Sequence, residues 1–84
     1  MQFITFADIE SRREKEAYLA IANKIPKIEG VQGVYLSFGK HDVVVFHDAE
    51  TLGEGVKMAI KLRNIPGITN TETIVCMDIK KVFE

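Results

Sequence analysis

The sequence predicts an α+β sandwich in which a four-stranded antiparallel sheet carries two helices on one face, with the elements in the order β-α-β-β-α-β. Three observations predict it. Along the 84 residues the apolar period switches from two to about 3.6 and back, twice over. Each helical stretch runs into an Ile-Pro step, Ile25-Pro26 and Ile65-Pro66, and hands over to a strand, so the two halves share one layout. Between them, two strand-like runs meet at a short Gly-containing turn, the mark of a central hairpin.

Phe3-Ile4-Thr5-Phe6-Ala7 is rich in β-favouring residues, which predicts a first strand from Met1 to Ala7. Ser11 with Glu14 has the form of a capping box and predicts a helix start. Tyr18, Ile21, Ala22, Ile25 and Ile28 fall on one helical face, while Arg12, Arg13, Glu16 and Lys24 stay off it. Pro26 disfavours helical geometry at Ile25, so the helix should end between there and Gly30. Val31–Phe38 and Asp42–Phe46 read as antiparallel strands joined at Phe38-Gly39-Lys40-His41, with Gly39 supplying positive φ. Asp48 is the expected cap of the second helix, with Glu50 complementing its dipole. Leu52, Val56, Ala59, Ile60 and Arg63 form the expected face, widened by Met58, Leu62 and Ile65. Gly53 and Gly55 each cost about 1 kcal/mol relative to alanine in a helix, so either the first turns are weak or something packs closely there. Thr69 to Ile79 reads as the last strand. This is the ferredoxin-like arrangement.

The run Val43-Val44-Val45-Phe46 is apolar on both sides, which implies a sheet buried on both faces. A chain of 84 residues has room for one domain, spanning 1–84, and cannot supply a second covering layer. A second copy is therefore expected on the open face.

Composition excludes several function classes. Apolar residues make up 46% and charged residues 27%, with a formal net charge of −1, as in an ordinary globular domain. Without a Lys/Arg cluster the chain lacks the electrostatic term that supplies most nucleic-acid affinity, and no apolar run reaches the length of a membrane span. The expected partners therefore include neither DNA directly nor a membrane. A single cysteine, Cys76, and no secretory leader predict a cytoplasmic protein. No phosphate loop, nucleophile elbow or metal-ligand spacing is present, so no cofactor, metal or catalytic residue is expected.

Four segments carry a family resemblance. Glu29-Gly30-Val31-Gln32-Gly33-Val34-Tyr35, then Gly39-Lys40-His41-Asp42-Val43-Val44-Val45, Lys61-Leu62-Arg63-Asn64-Ile65-Pro66-Gly67-Ile68 and Thr71-Glu72-Thr73 occur in this order. Together they resemble the effector-binding (RAM) domain of Lrp/AsnC transcription regulators, in a stand-alone form lacking the helix-turn-helix domain. The resemblance implies a homodimer with facing sheets, assembled further into a higher oligomer of dimers. It also implies a small effector, commonly an amino acid, bound at subunit junctions near the turn between strands two and three. On that pattern Gly39 and Asp42 match the turn, and Thr71 and Thr73 match a hydroxyl pair on the last strand. Phe38 stands where a small hydroxyl residue is usual, and His41 where Tyr is common.

An α-amino acid needs an acceptor for its ammonium group and donors for its carboxylate. Asp42 supplies the first on this reading, and the Gly39 N–H with the Thr71 and Thr73 hydroxyls the second. The plainer alternative has Asp42 bonded to backbone N–H groups and the threonines as ordinary strand residues. His41 either shapes the effector pocket or is an exposed turn residue. His47, beside Asp48, reads as a solvated strand end. The two histidines lie about 20 Å apart along a strand, too far to share a metal ion. Cys76 reads as a buried small hydrophobe, and Tyr18, Tyr35 and Phe38 as core or interface.

The leading expectation is a stand-alone sensing and oligomerisation domain that modulates transcription indirectly, by associating with full-length Lrp/AsnC-like regulators. The alternative is a small dimeric α+β-barrel enzyme of monooxygenase or haem-handling type, disfavoured for want of a second acid or base near His41 or His47. A purely structural adaptor is the third reading.

Overall fold

The computed structural model describes residues 1–10 and 14–84. Its elements are β1 (Gln2–Ile9), α1 (Glu14–Lys24), a 3-10 turn (Ile25–Lys27), β2 (Val31–Leu36), β3 (Val43–Asp48), α2 (Leu52–Arg63), β4 (Ile68–Cys76) and a short α3 (Ile79–Phe83). The sheet order is β2-β3-β1-β4, every neighbouring pair antiparallel. This is the ferredoxin-like α+β fold that the sequence predicts.

Strand alternation divides the sheet into two faces. Phe3, Thr5 and Ala7 of β1 and Val43, Val45 and His47 of β3 are buried, and the residues between them are half-buried. The buried set faces the helices: Ala7, Val43 and Val45 cluster with Ile21, Ile25, Leu62 and Ile65. Each of the Val, Ile and Leu side chains among them contributes roughly 1.5–3 kcal/mol by leaving water.

Both helices are rotated slightly from the faces expected. In α1, Ile21 and, in the turn that follows, Ile25 are buried and Tyr18 and Ile28 flank them, but Ala17 is buried and Ala22 exposed. Ala17 packs against Gly67, where an added Cβ would stand 2.5 Å from the Ala17 Cβ. In α2 the buried residues are Gly55, Met58 and Leu62, followed by Ile65, whereas Leu52, Val56 and Ile60 are exposed. The cause is Gly55, which lies directly on the Phe3 ring: any Cβ there would overlap it. Of the two readings of the early glycines, close packing therefore applies to Gly55.

Several local expectations are corrected. The first strand runs two residues past Ala7 to Ile9. The Ser11 half of the capping box lies outside the described residues. Thr51, not Asp48, caps α2, its hydroxyl accepting from the Glu54 N–H at 3.1 Å. Asp48 instead accepts from the α-amino group of Met1 at 3.0 Å. Glu50 precedes the helix, and Glu54 is the acid in its first turn. Residues Ser37 to Asp42 form a wider connection than a tight turn, closed by the Ser37 N–H on the Asp42 carbonyl at 2.9 Å and by the Ser37 hydroxyl on the His41 carbonyl at 2.6 Å. Positive φ occurs at Gly30 and Gly67, at 95° and 96°, and not at Gly39. These two glycines close the Ile-Pro steps of the two halves, where a side chain would be strained. The last strand stops at Cys76 because Asp78 caps α3, its carboxylate accepting from the Lys80 N–H at 2.8 Å.

Candidate functional site

The connection between β2 and β3 places its residues around the far end of β1. Asp42 donates its N–H to the Ala7 carbonyl at 3.0 Å and accepts the Ile9 N–H on Oδ2 at 2.8 Å. One carboxylate oxygen is thus engaged by backbone, as in the plainer of the two readings. His41 packs its ring on Phe6, with centroids 5.3 Å apart, and its Nδ1 lies 3.0 Å from Asp8 Oδ1. A carboxylate therefore does stand beside His41, supplied from β1, 33 residues away in sequence. Gly39 meets nothing within 4 Å of a built Cβ, and Phe38 is 97% exposed, so the tip of the connection is open. Burial, and then the Asp42 and Glu14 carboxylates, push the Tyr18 phenol above its ordinary range, which marks Tyr18 as a further neighbour of the Asp42 end.

Thr71 and Thr73 sit on β4 opposite Ala7 and Thr5. Directly opposed residues share a face, so both threonines lie on the helix-covered side, whereas His41 reaches Phe6 and Asp8 on the open side. Within one chain the threonine pair therefore lies on the opposite side of the sheet from the His41 ring, while the Asp42 carboxylate stays at the end of β1 on the Ile9 N–H.

Thr73 belongs to a chain of polar side chains that the sequence does not announce. Its Oγ1 lies 2.8 Å from Thr5 Oγ1, which lies 2.7 Å from His47 Nε2. Contrary to the solvated strand end expected, His47 is 0% exposed and stacks on Phe3 at 5.3 Å and 11°. Burial lowers its pKa below the ordinary histidine value, because a charged ring is disfavoured away from water. The signal that could have found it is the alternation Val43, Val45, His47, which puts all three on one face.

The open face is the other extended feature. Ile4, Phe6, Val44 and Phe46 occupy its centre, Ile74 lies beyond Ile4, and Tyr35 meets Phe46 edge-on at 5.7 Å. Cys76 is only partly buried. Clefts also lie elsewhere. One of about 550 Å³ runs between α2 and the start of β2, lined by Glu29, Asp48, Glu54, Lys57 and Lys61 among others. Another of about 450 Å³, largely apolar, runs between α1 and the edge strand β2. Neither includes Gly39, His41, Asp42, Thr71 or Thr73. Among the described residues no cluster of three or more His, Cys, Asp or Glu could hold a metal ion, and no helix is long and apolar enough to cross a membrane.

Among solved structures the fold is similar to FFRP-DM1, with a TM-score of 0.75 and 21% identity over 90% of this chain and 97% of that one. It is similar also to the transcriptional regulator NMB0573 from Neisseria meningitidis, solved as a complex with L-Met, with a TM-score of 0.80 and 16% identity. There the match covers 93% of this chain and 51% of the regulator, so the chain spans about half its length. A weaker likeness, TM-score 0.60 and 14% identity over 96% of this chain and 98% of the other, is to a 5-chloro-2-hydroxyhydroquinone dehydrochlorinase from Burkholderia phenoliruptrix AC1100. No curated protein matches the sequence. The family model described as the Lrp/AsnC ligand binding domain matches residues 4–83, from the first strand through α3. With that span and this sheet order, the chain belongs to the Lrp/AsnC ligand-binding domain family.

Proposed function

We propose that the chain is a sensing and assembly domain that binds a small effector, an amino acid, at a junction between copies and so modulates transcription without touching DNA. The observation that carries it is that the His41 ring lies on the open side of the sheet and the pair Thr71 and Thr73 on the helix-covered side, which favours a ligand set shared between copies. The apolar open face supports a homodimer formed through facing sheets and assembled further. At the junction the free oxygen of Asp42 takes the effector ammonium, and the Gly39 N–H and threonine hydroxyls take its carboxylate. The L-Met complex of the Neisseria regulator supports this class of effector. Association with full-length Lrp/AsnC-like regulators through the same face, in the cytoplasm, is the route by which 1–84, acting as one domain, reaches transcription.

A thermal-shift screen of the twenty amino acids, followed by sizing with and without each hit, tests this. An effector shifts assembly only by its difference in affinity between the states, so a true effector must change both readouts. Stabilisation by none of the twenty contradicts amino-acid sensing.

A second reading is enzymatic. The Asp8–His41 pair at 3.0 Å favours it, since a carboxylate that orients an imidazole is the support a general base needs, and so does the likeness of fold to the dehydrochlorinase. Turnover of a hydroxyquinol or uptake of oxygen, abolished by His41→Ala, would put this reading first.

A further inference from the structure

The polar chain on the covered face has a direction, and His47 determines it. A threonine hydroxyl both donates and accepts, so Thr5 and Thr73 fit a hydrogen-bond chain running either way. A neutral imidazole does not, because one nitrogen carries the proton and the other does not. Nε2 faces Thr5 Oγ1 at 2.7 Å, while Nδ1 is buried without a hydrogen-bond partner among the described residues. If Nδ1 carried the proton, a buried N–H would be orphaned, an arrangement native structures rarely contain. A doubly protonated ring would orphan the same N–H and bury a charge as well. With the proton on Nε2 the chain is consistent throughout: Nε2–H donates to Thr5 Oγ1, and the Thr5 O–H donates to Thr73 Oγ1 at 2.8 Å. The Thr73 hydroxyl then has its own O–H left over. Thr5 and His47 are both 0% exposed, whereas Thr73 is only partly buried, so Thr73 is the more accessible end of the chain.

We propose that His47 is a positioning residue which, through Thr5, leaves the Thr73 hydroxyl as an outward hydrogen-bond donor selective for an anionic oxygen such as an effector carboxylate. The assignment rests on the effector reading for the identity of the ligand, and it deepens that reading by giving Thr73 a fixed polarity. Stacking on Phe3, under Gly55 of α2, holds the imidazole in plane for this role.

Histidine ¹⁵N spectra of the ligand-free full chain test the direction without any effector. The expected result is protonated Nε2 and bare Nδ1 at His47; the reverse tautomer overturns the proposal. Titration with acetate and, separately, methylammonium tests the polarity. Acetate should shift the Thr73 amide and methyl resonances and methylammonium should not; response to methylammonium alone, or to neither, overturns it. Thr5→Val cuts the relay and should weaken the acetate response by about tenfold, the scale of one lost hydrogen bond. His47→Phe keeps a ring on Phe3 while removing Nε2, and should do the same if Thr5→Val fails to fold. An unchanged acetate response in a folded variant contradicts the relay. A correct tautomer and acetate response with no amino-acid stabilisation would retain the role of His47 and remove amino-acid sensing.

Discussion

The two faces of the sheet differ in how their apolar residues are finished. On the covered face Phe3, Ala7, Val43 and Val45 are each at most 1% exposed and meet the helices. On the open face Ile4, Phe6, Val44 and Phe46, one position along in each strand, are only partly buried. The residue types are nearly the same on both sides. What differs is the presence of a layer above them, which teaches that this chain carries the residues of two cores and the helices for one.

The largest expected effect lies on the covered face. Phe3→Ala removes the ring that fills the space left by Gly55 and supports His47, and should destabilise the fold by about 3–5 kcal/mol, measured by urea unfolding. Next comes a paired test of the comparison itself. Val45→Asp buries an unpaired carboxylate and should prevent folding, whereas Phe46→Asp should keep the circular-dichroism spectrum and lose the proposed dimer. If both variants unfold, the open face belongs to the core of a single chain. A pH effect on the covered face follows from His47. Its folded pKa lies below the ordinary value of 6.5, so the unfolded chain takes up the proton first. Stability should be full above about pH 6.5 and decline as pH falls through the region between that value and the lowered folded pKa. Melting curves from about pH 5 to 8 check this, and His47→Phe should flatten the decline. The smallest effect is remote from either face: Thr51→Ala removes the α2 cap and should cost about 1 kcal/mol without altering assembly.

The legibility of these features in the sequence follows their range along the chain. The element order, the Ile-Pro punctuation and the two-sided strand Val43-Val44-Val45-Phe46 are local patterns, and they predict the fold. The rotation of α2 is not local, because a glycine adds nothing to an apolar pattern and Gly55 is buried only through Phe3, from the other end of the chain. His47 reads as polar beside Asp48, yet its ring stacks on Phe3 and its hydrogen-bond partner is Thr5, 42 residues before it, which in turn bonds Thr73 on the last strand. Asp8 and His41 meet for the same reason, through the pairing of β1 with β3. Asp48 stands outside the capping position because α2 begins only at Leu52, directly after Thr51, and its carboxylate takes the Met1 amino group instead. The turn motif located Gly39, His41 and Asp42 together, but which side of the sheet each candidate faces is a matter of register, and a shift of one residue reverses it.

The central claim, that the open face is the surface through which copies meet, is tested most directly by sedimentation equilibrium of the unmodified chain at micromolar concentration. The account predicts a dimer or an even-numbered assembly of dimers. A monomer throughout that range would contradict it.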